Sequence, residues 1–146
     1  MNSKILFSYT IIIIGTVMIL LGARWMLVDE PWMLDEVANV ERLEMTFEEL
    51  FNSESNKTLP GYLRQIYRFF GYWVITIGLF IISFSTPKLI ESNDLRKRLL
   101  LCLGFMMLLG TILGHALIPS SHFIYLVWIM NASYLFCIFQ HNKINK

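Results

Sequence analysis

The sequence predicts an all-α polytopic membrane protein, a four-transmembrane-helix bundle with an amphipathic helical outer loop between its first two spans. Three observations predict it. Apolar residues make up 55% of the 146-residue chain and charged residues only 16%, against about a quarter in an ordinary soluble domain. The apolar residues gather into four runs, Ile5–Ala23, Phe69–Ser85, Leu99–Ile118 and Phe123–Phe139, none of which holds Asp, Glu, Lys or Arg. Within each run apolarity is continuous and does not alternate, so the runs are helices and not barrel strands.

A helix rises about 1.5 Å per residue and the hydrocarbon layer is roughly 30 Å thick, so a span takes about 20 residues. Flanking aromatic and basic side chains make up the small deficit of the shorter runs. The predicted spans are about 5–23, 69–86, 99–118 and 123–139, with an outer loop at 24–68, all in one domain covering 1–146. The first run begins like a secretory signal, behind Lys4. It is 19 residues long, however, and the position three before a cut after Ala23 is Leu21, which is not small. It is read as an uncleaved anchor.

Lys and Arg near the ends of spans stay cytoplasmic. Lys4 precedes the first span, Lys88, Arg96, Lys97 and Arg98 lie between the second and third, and Lys143 and Lys146 follow the fourth. The loop at 24–68 has five basic residues against nine acidic ones, and the turn from Pro119 to His122 has no Lys or Arg. Both termini are therefore expected in the cytoplasm and the acidic loop outside. The abundance of Ile, Phe, Lys and Asn suits an AT-rich bacterial genome, which makes the expected compartment a bacterial inner (cytoplasmic) membrane. Cys102 and Cys137 then fall at similar depth in the third and fourth spans and read as two buried thiols packed as small hydrophobes.

In the outer loop, Asp29-Glu30-Pro31 reads as a helix start, an acidic cap followed by proline where its missing amide costs nothing. Met33, Val37, Val40, Leu43, Phe47 and Leu50 recur at helical spacing between glutamates. Thr46-Phe47-Glu48-Glu49 has capping-box spacing, so a second short helix is expected to begin there. A strand through Leu43, Met45 and Phe47 is the weaker alternative. The acidic polar face argues against a surface-lying membrane helix, which usually carries Lys and Arg. It favours a lid over the bundle mouth or a docking surface for another protein.

Small residues mark helix contacts in lipid, where there is no hydrophobic drive for association. Gly15 and Gly22 lie seven apart in the first span, Gly71 and Gly78 seven apart in the second, and Gly110 and Gly114 form GxxxG in the third. The last pair would serve equally in a homodimer. At the outer end, Arg24, Arg68 and His115 fall at one level with Asp29 and Glu30 just beyond, a candidate ligand-binding set. His115 is the sharpest of these, an ionisable ring within an apolar run. Asn131 is the one amide deep in the fourth span and is read as helix glue. No metal-ligand spacing, catalytic triad, phosphate-binding loop or cofactor motif appears, and nothing indicates nucleic acid.

The layout resembles the small four-span bacterial proteins related to DoxX. The resemblance rests on Leu21-Gly22-Ala23-Arg24-Trp25, the step Asp29-Glu30-Pro31, Arg68-x-x-Gly71 with Gly78-Leu79 seven residues on, and the glycine-rich third span. It implies a four-helix membrane bundle and, in some relatives, association with quinone-linked redox complexes; it carries over no catalytic residue. The leading expectation is a non-enzymatic protein that binds a lipid-like or quinone-like molecule, or a partner subunit, at its outer mouth. One alternative is a membrane redox subunit or small membrane enzyme in which His115 exchanges protons with Asp29 or Glu30. Another is a structural accessory protein that docks a partner through the acidic loop.

Overall fold

The computed structural model describes residues 2–145. Helix α1 (Ser3–Leu27) is followed by a 3-10 turn at Pro31–Asp35, then α2 (Glu36–Leu43) and α3 (Phe47–Phe51). Next come α4 (Leu59–Ser83), α5 (Asn93–Leu117) and α6 (Phe123–Ile144). There is no strand among the described residues, so the alternative through Leu43 and Phe47 falls away. Four helices are long and apolar enough to cross a membrane. Their outer faces carry side chains such as Phe69, Phe80, Leu101, Phe105, Tyr125 and Ile129, all exposed. So large an apolar surface is untenable in water. It is the surface of a multi-pass membrane protein.

The helices overrun the apolar runs. α4 begins ten residues before Phe69 and α5 six before Leu99, because local caps start them in the polar flanks. Pro60 occupies the first turn of α4, and the Ser92 hydroxyl accepts from the Leu95 amide at 3.3 Å to cap α5.

α1 is the central helix. It packs along α4 on one side and α6 on the other, and α6 in turn packs on α5. The four therefore lie in the order α4, α1, α6, α5. Phe7, Ser8, Ile11, Ile14, Gly15, Met18 and Gly22 form its buried face, at the spacing of one helical stripe. Leu100, Leu103 and Met107 from α5, Cys137 from α6 and Ile81 from α4 complete the core around it.

The α1–α4 contact is made by glycine against glycine. A Cβ on Gly22 would lie 2.5 Å from the Gly71 carbonyl oxygen, and one on Gly78 would lie 2.7 Å from that of Gly15. The two antiparallel backbones thus touch at two points one heptad apart, an approach only glycine permits. The third span differs. Gly104 receives the Tyr134 ring of α6, whose hydroxyl donates to the Leu100 carbonyl at 3.1 Å. Gly110 meets nothing within 4 Å, and Gly114 would meet only Ile124 of α6. Within the chain, the close α5–α6 approach is therefore at Gly104, and Gly110 is left facing open space. Asn131 donates to the Thr111 hydroxyl at 2.8 Å, joining α6 to α5.

The loop differs from its expected periodicity. A 3-10 turn advances three residues per turn, so residues 31–35 rotate the register before α2 begins. Pro31, Trp32 and Ala38 point inward in consequence. Val37 is 69% exposed and Met33 is also exposed, although the sequence placed both on the apolar face. α2 ends at Glu44, the one positive-φ residue outside glycine among those described, at φ 56°. Thr46 and Glu49 then form the full capping box, with the Glu49 amide 3.2 Å from the Thr46 hydroxyl and the Thr46 amide 2.8 Å from the Glu49 carboxylate. Donation from the Thr46 amide and hydroxyl holds the Glu49 carboxyl below the usual carboxylate range.

Candidate functional site

The loop folds back over one end of the bundle, and α2, α3 and the first turns of α4 line a partly open pocket of about 330 Å³. Its apolar wall is Trp32, Leu43, Phe47, Leu50, Leu59 and Leu63. The wall is set by an aromatic cluster, with the Trp32 ring 6.2 Å from Phe47 and 5.5 Å from Phe51. These rings join the 3-10 turn to α3, with Trp32 tilted against Phe47 and edge-on to Phe51.

Three polar residues complete the lining: Asn39, Arg42 and Tyr67. The Asn39 amide donates to the Trp32 carbonyl at 2.7 Å and reaches the Tyr67 hydroxyl oxygen at 3.5 Å. Asn39 thereby ties the 3-10 turn to α4 and turns Tyr67 so that its hydroxyl oxygen accepts. An apolar chamber near the lower end of the ~300–1,000 Å³ range, with a few convergent polar groups, has the form of a small-molecule site.

The loop is held to the rest of the bundle at two places. The Arg64 Nε donates to the Asp29 carbonyl at 2.7 Å, tying the end of α1 to α4. On the other side, His122 Nδ1 lies 3.3 Å from Asp35 Oδ1, joining the 3-10 turn to the start of α6. Asp35 Oδ1 is buried and makes no hydrogen bond, and the His122 ring is the one basic group in contact with it among the described residues.

Arg24, Arg68, His115, Asp29 and Glu30 are all exposed, and none lines the four principal cavities. His115 Nδ1 lies 2.9 Å from the Thr111 carbonyl of its own helix, and its ring stands edge-on to Trp128 at 5.7 Å. It forms no ion pair with Asp29 or Glu30; the histidine–carboxylate pair at this end is His122–Asp35. A second apolar cavity of about 170 Å³ lies among α1, α5 and α6, walled largely by Met18, Met106, Met107 and Met130.

The opposite end of the bundle holds the most connected side chain among the described residues. Arg96 is 3% exposed. Its Nη1 donates to the Ile90 and Glu91 carbonyls at 2.7 and 2.9 Å, and its Nη2 to the side chains of Asn93 and Asn145 at 3.2 and 2.8 Å. Its Nε donates to His141 Nδ1 at 3.3 Å, so that ring nitrogen presents a lone pair. A planar guanidinium can serve this many directions at once, and an ammonium cannot. The fork clamps the α4–α5 connection and the start of α5 to the end of α6. Ser8 donates to the Ser85 carbonyl beside it, and Ser85 to the Ile81 carbonyl at 2.5 Å, so α1 is pinned to the same end.

Reading the sequence grouped Arg96 with Lys97 and Arg98 as one basic run; the structure buries the first and exposes the other two. The signal that separates them is phase: Arg96 lies four residues before Leu100 and seven before Leu103, on the buried stripe of α5. Both thiols are free, and Cys137 is buried while Cys102 is exposed on α5, which corrects the expectation of two buried thiols. Among the described residues there is no cluster of His, Cys, Asp or Glu able to hold a metal ion. No family model, curated protein or solved structure matches the chain.

Proposed function

We propose that this protein is a non-enzymatic membrane binding protein that holds an amphipathic small molecule under its outer loop, in the cavity between Trp32, Phe47 and Tyr67. The observation that carries the reading is the cavity itself, apolar over most of its wall and polar at Asn39, Arg42 and Tyr67. Its volume of about 330 Å³ suits one tail or one ring, not a two-chain lipid. That keeps the lipid-like or quinone-like ligand and moves its site from the exposed Arg24, Arg68 and His115 to the interior of the loop. The resemblance to DoxX-related proteins would add an association, in some relatives, with quinone-linked redox complexes.

The test is native mass spectrometry on protein extracted gently from its own membrane. Leu63→Trp, which fills the cavity, should strip a co-purifying ligand by tenfold or more, while Arg24→Ala and His115→Ala leave it bound. Loss with the latter two and retention with Leu63→Trp would place the site on the exposed mouth instead. Protein that is empty in every form would leave the loop as a docking surface for a partner subunit.

The orientation that goes with this reading places both termini in the cytoplasm of a bacterial cell and the acidic loop outside the inner membrane. It rests on the basic residues at the end that holds Lys4, Lys88, Lys97, Arg98 and Lys143. Alkaline phosphatase fused after Lys146 should be inactive, and fused within Asn52–Lys57 active. The reverse result overturns the orientation.

A further inference from the structure

We infer that the ligand of the loop cavity carries an anionic head, a carboxylate or phosphate ester on a single apolar tail, held by Arg42 and Tyr67. The inference rests on the binding reading above and narrows it.

The segment 24–68 has nine acidic residues and five basic ones, yet no carboxylate lines the cavity and one cation does, Arg42. Arg42 makes no ion pair and no side-chain hydrogen bond among the described residues. Arg42 is exposed and hydrated in the free protein, although Glu41 and Glu44 lie close in sequence, so its guanidinium stays available to a ligand in the pocket. The Tyr67 hydroxyl is turned to accept from Asn39, which leaves its own hydrogen without a protein acceptor. Asp35 lies outside the pocket lining, with its carboxylate against the His122 ring.

Two donors with no protein acceptor therefore line one largely apolar pocket. An anionic oxygen satisfies both, and charge-assisted bonds to it are about twice as strong as neutral ones. A neutral quinone or alcohol takes the same donors with only neutral acceptors, and gains less. The acyl or prenyl tail packs on Phe47, Leu50 and Leu63. The source of the anion is either a free fatty acid or a single-chain phospholipid from the bilayer, which share this chemistry.

The experiment uses the full-length protein in a non-ionic detergent. Binding of dodecanoate, dodecyl phosphate, dodecanol and a short-chain quinone is measured by microscale thermophoresis, with wild type, Arg42→Gln and Arg42→Lys. An exposed arginine is replaced, so folding is retained and is checked by the elution profile. Dodecanoate or dodecyl phosphate should bind at least tenfold more tightly than dodecanol. Arg42→Gln should remove that margin, Arg42→Lys should restore part of it, and added salt should weaken the anion alone. The preferred anion distinguishes the two sources. Dodecanol or quinone binding as tightly as the anions, with Arg42→Gln indifferent, overturns the anionic head while the cavity reading survives. No binding by any of the four overturns both.

Discussion

Replacing Gly22 by alanine should destabilise the protein markedly, and replacing it by leucine should prevent α1 and α4 from meeting. The added Cβ would lie 2.5 Å from the Gly71 carbonyl oxygen and 2.9 Å from the Ile75 amide nitrogen. Both neighbours are backbone, so the strain cannot be relieved by a rotamer change, and the helices must separate. Overpacking of this kind costs about 1–3 kcal/mol, with alanine near the top of that range here and leucine beyond it. In a chain of this size, 3 kcal/mol corresponds to roughly 6–12 °C in the thermal midpoint. Gly110→Ala is the control. Its Cβ meets nothing within 4 Å, and alanine gains up to about 1 kcal/mol of helix propensity over glycine. Midpoints measured by fluorescence-detected size exclusion should fall for Gly22→Ala and hold or rise for Gly110→Ala. Equal effects of the two would remove the α1–α4 crossing from the account. A drop confined to Gly110→Ala would place a second copy on that face of α5.

The contrast between these glycines shows what could be read from sequence and what could not. Four continuous apolar runs fix the number of helices and their class, because length and the absence of charge are local properties. Which helix is central is not local. α1 is apolar all round, so hydropathy gives its buried stripe no distinction from its lipid-facing one. Paired glycines at matching heptad spacing in the first two spans do carry the contact, since Gly15 meets Gly78 and Gly22 meets Gly71 in antiparallel order. The GxxxG of the third span carries no such contact within the chain, because Tyr134 closes onto Gly104 one and a half turns away and sets the α5–α6 approach there. In the loop, the capping box was legible from Thr46 and Glu49, whose bonds join residues three apart. The direction of the apolar face was not. The 3-10 turn at Pro31–Asp35 shifts the phase by an amount that periodicity alone does not register, so Trp32 replaces Met33 as the buried side chain.

The same limit explains the site. Topology puts Arg24, Arg68 and His115 at one depth, but depth leaves the surroundings of a side chain open, and all three are exposed. The cavity depends on Leu43, Phe47, Leu59 and Tyr67 coming together after a chain reversal through residues 52–58, which no local pattern encodes. Two of its three polar members, Asn39 and Arg42, lie three apart on one face of α2, where the neighbouring glutamates give them no distinction in the sequence.

Arg96→Met should be the most damaging single change at the other end of the bundle. It would remove one side chain and leave five acceptors without their donor: two backbone carbonyls, two asparagine oxygens and His141 Nδ1. Ile90 and His141 are buried, and each buried polar group left unpaired costs about 1–3 kcal/mol, whereas Glu91, Asn93 and Asn145 are exposed and can turn to water. The relief of a buried charge offsets part of the sum, and relaxation of the connection toward water offsets more, which leaves a net loss of about 3 kcal/mol. Arg96→Lys keeps the charge but has three donors on a single nitrogen in place of the planar fork, so it should recover no more than half. Lys97→Gln and Arg98→Gln alter exposed side chains and should stay within about 0.5 kcal/mol. Alongside thermal midpoints, limited proteolysis of the connection between Ser83 and Asn93 reads the clamp directly, because Arg96 holds that segment through Ile90 and Glu91. Cleavage there should rise sharply in Arg96→Met and remain at wild-type level in Lys97→Gln. If the two variants are cut alike, the arginine serves only as one more positive charge at that end. The buried fork would then have no part in holding the helices together.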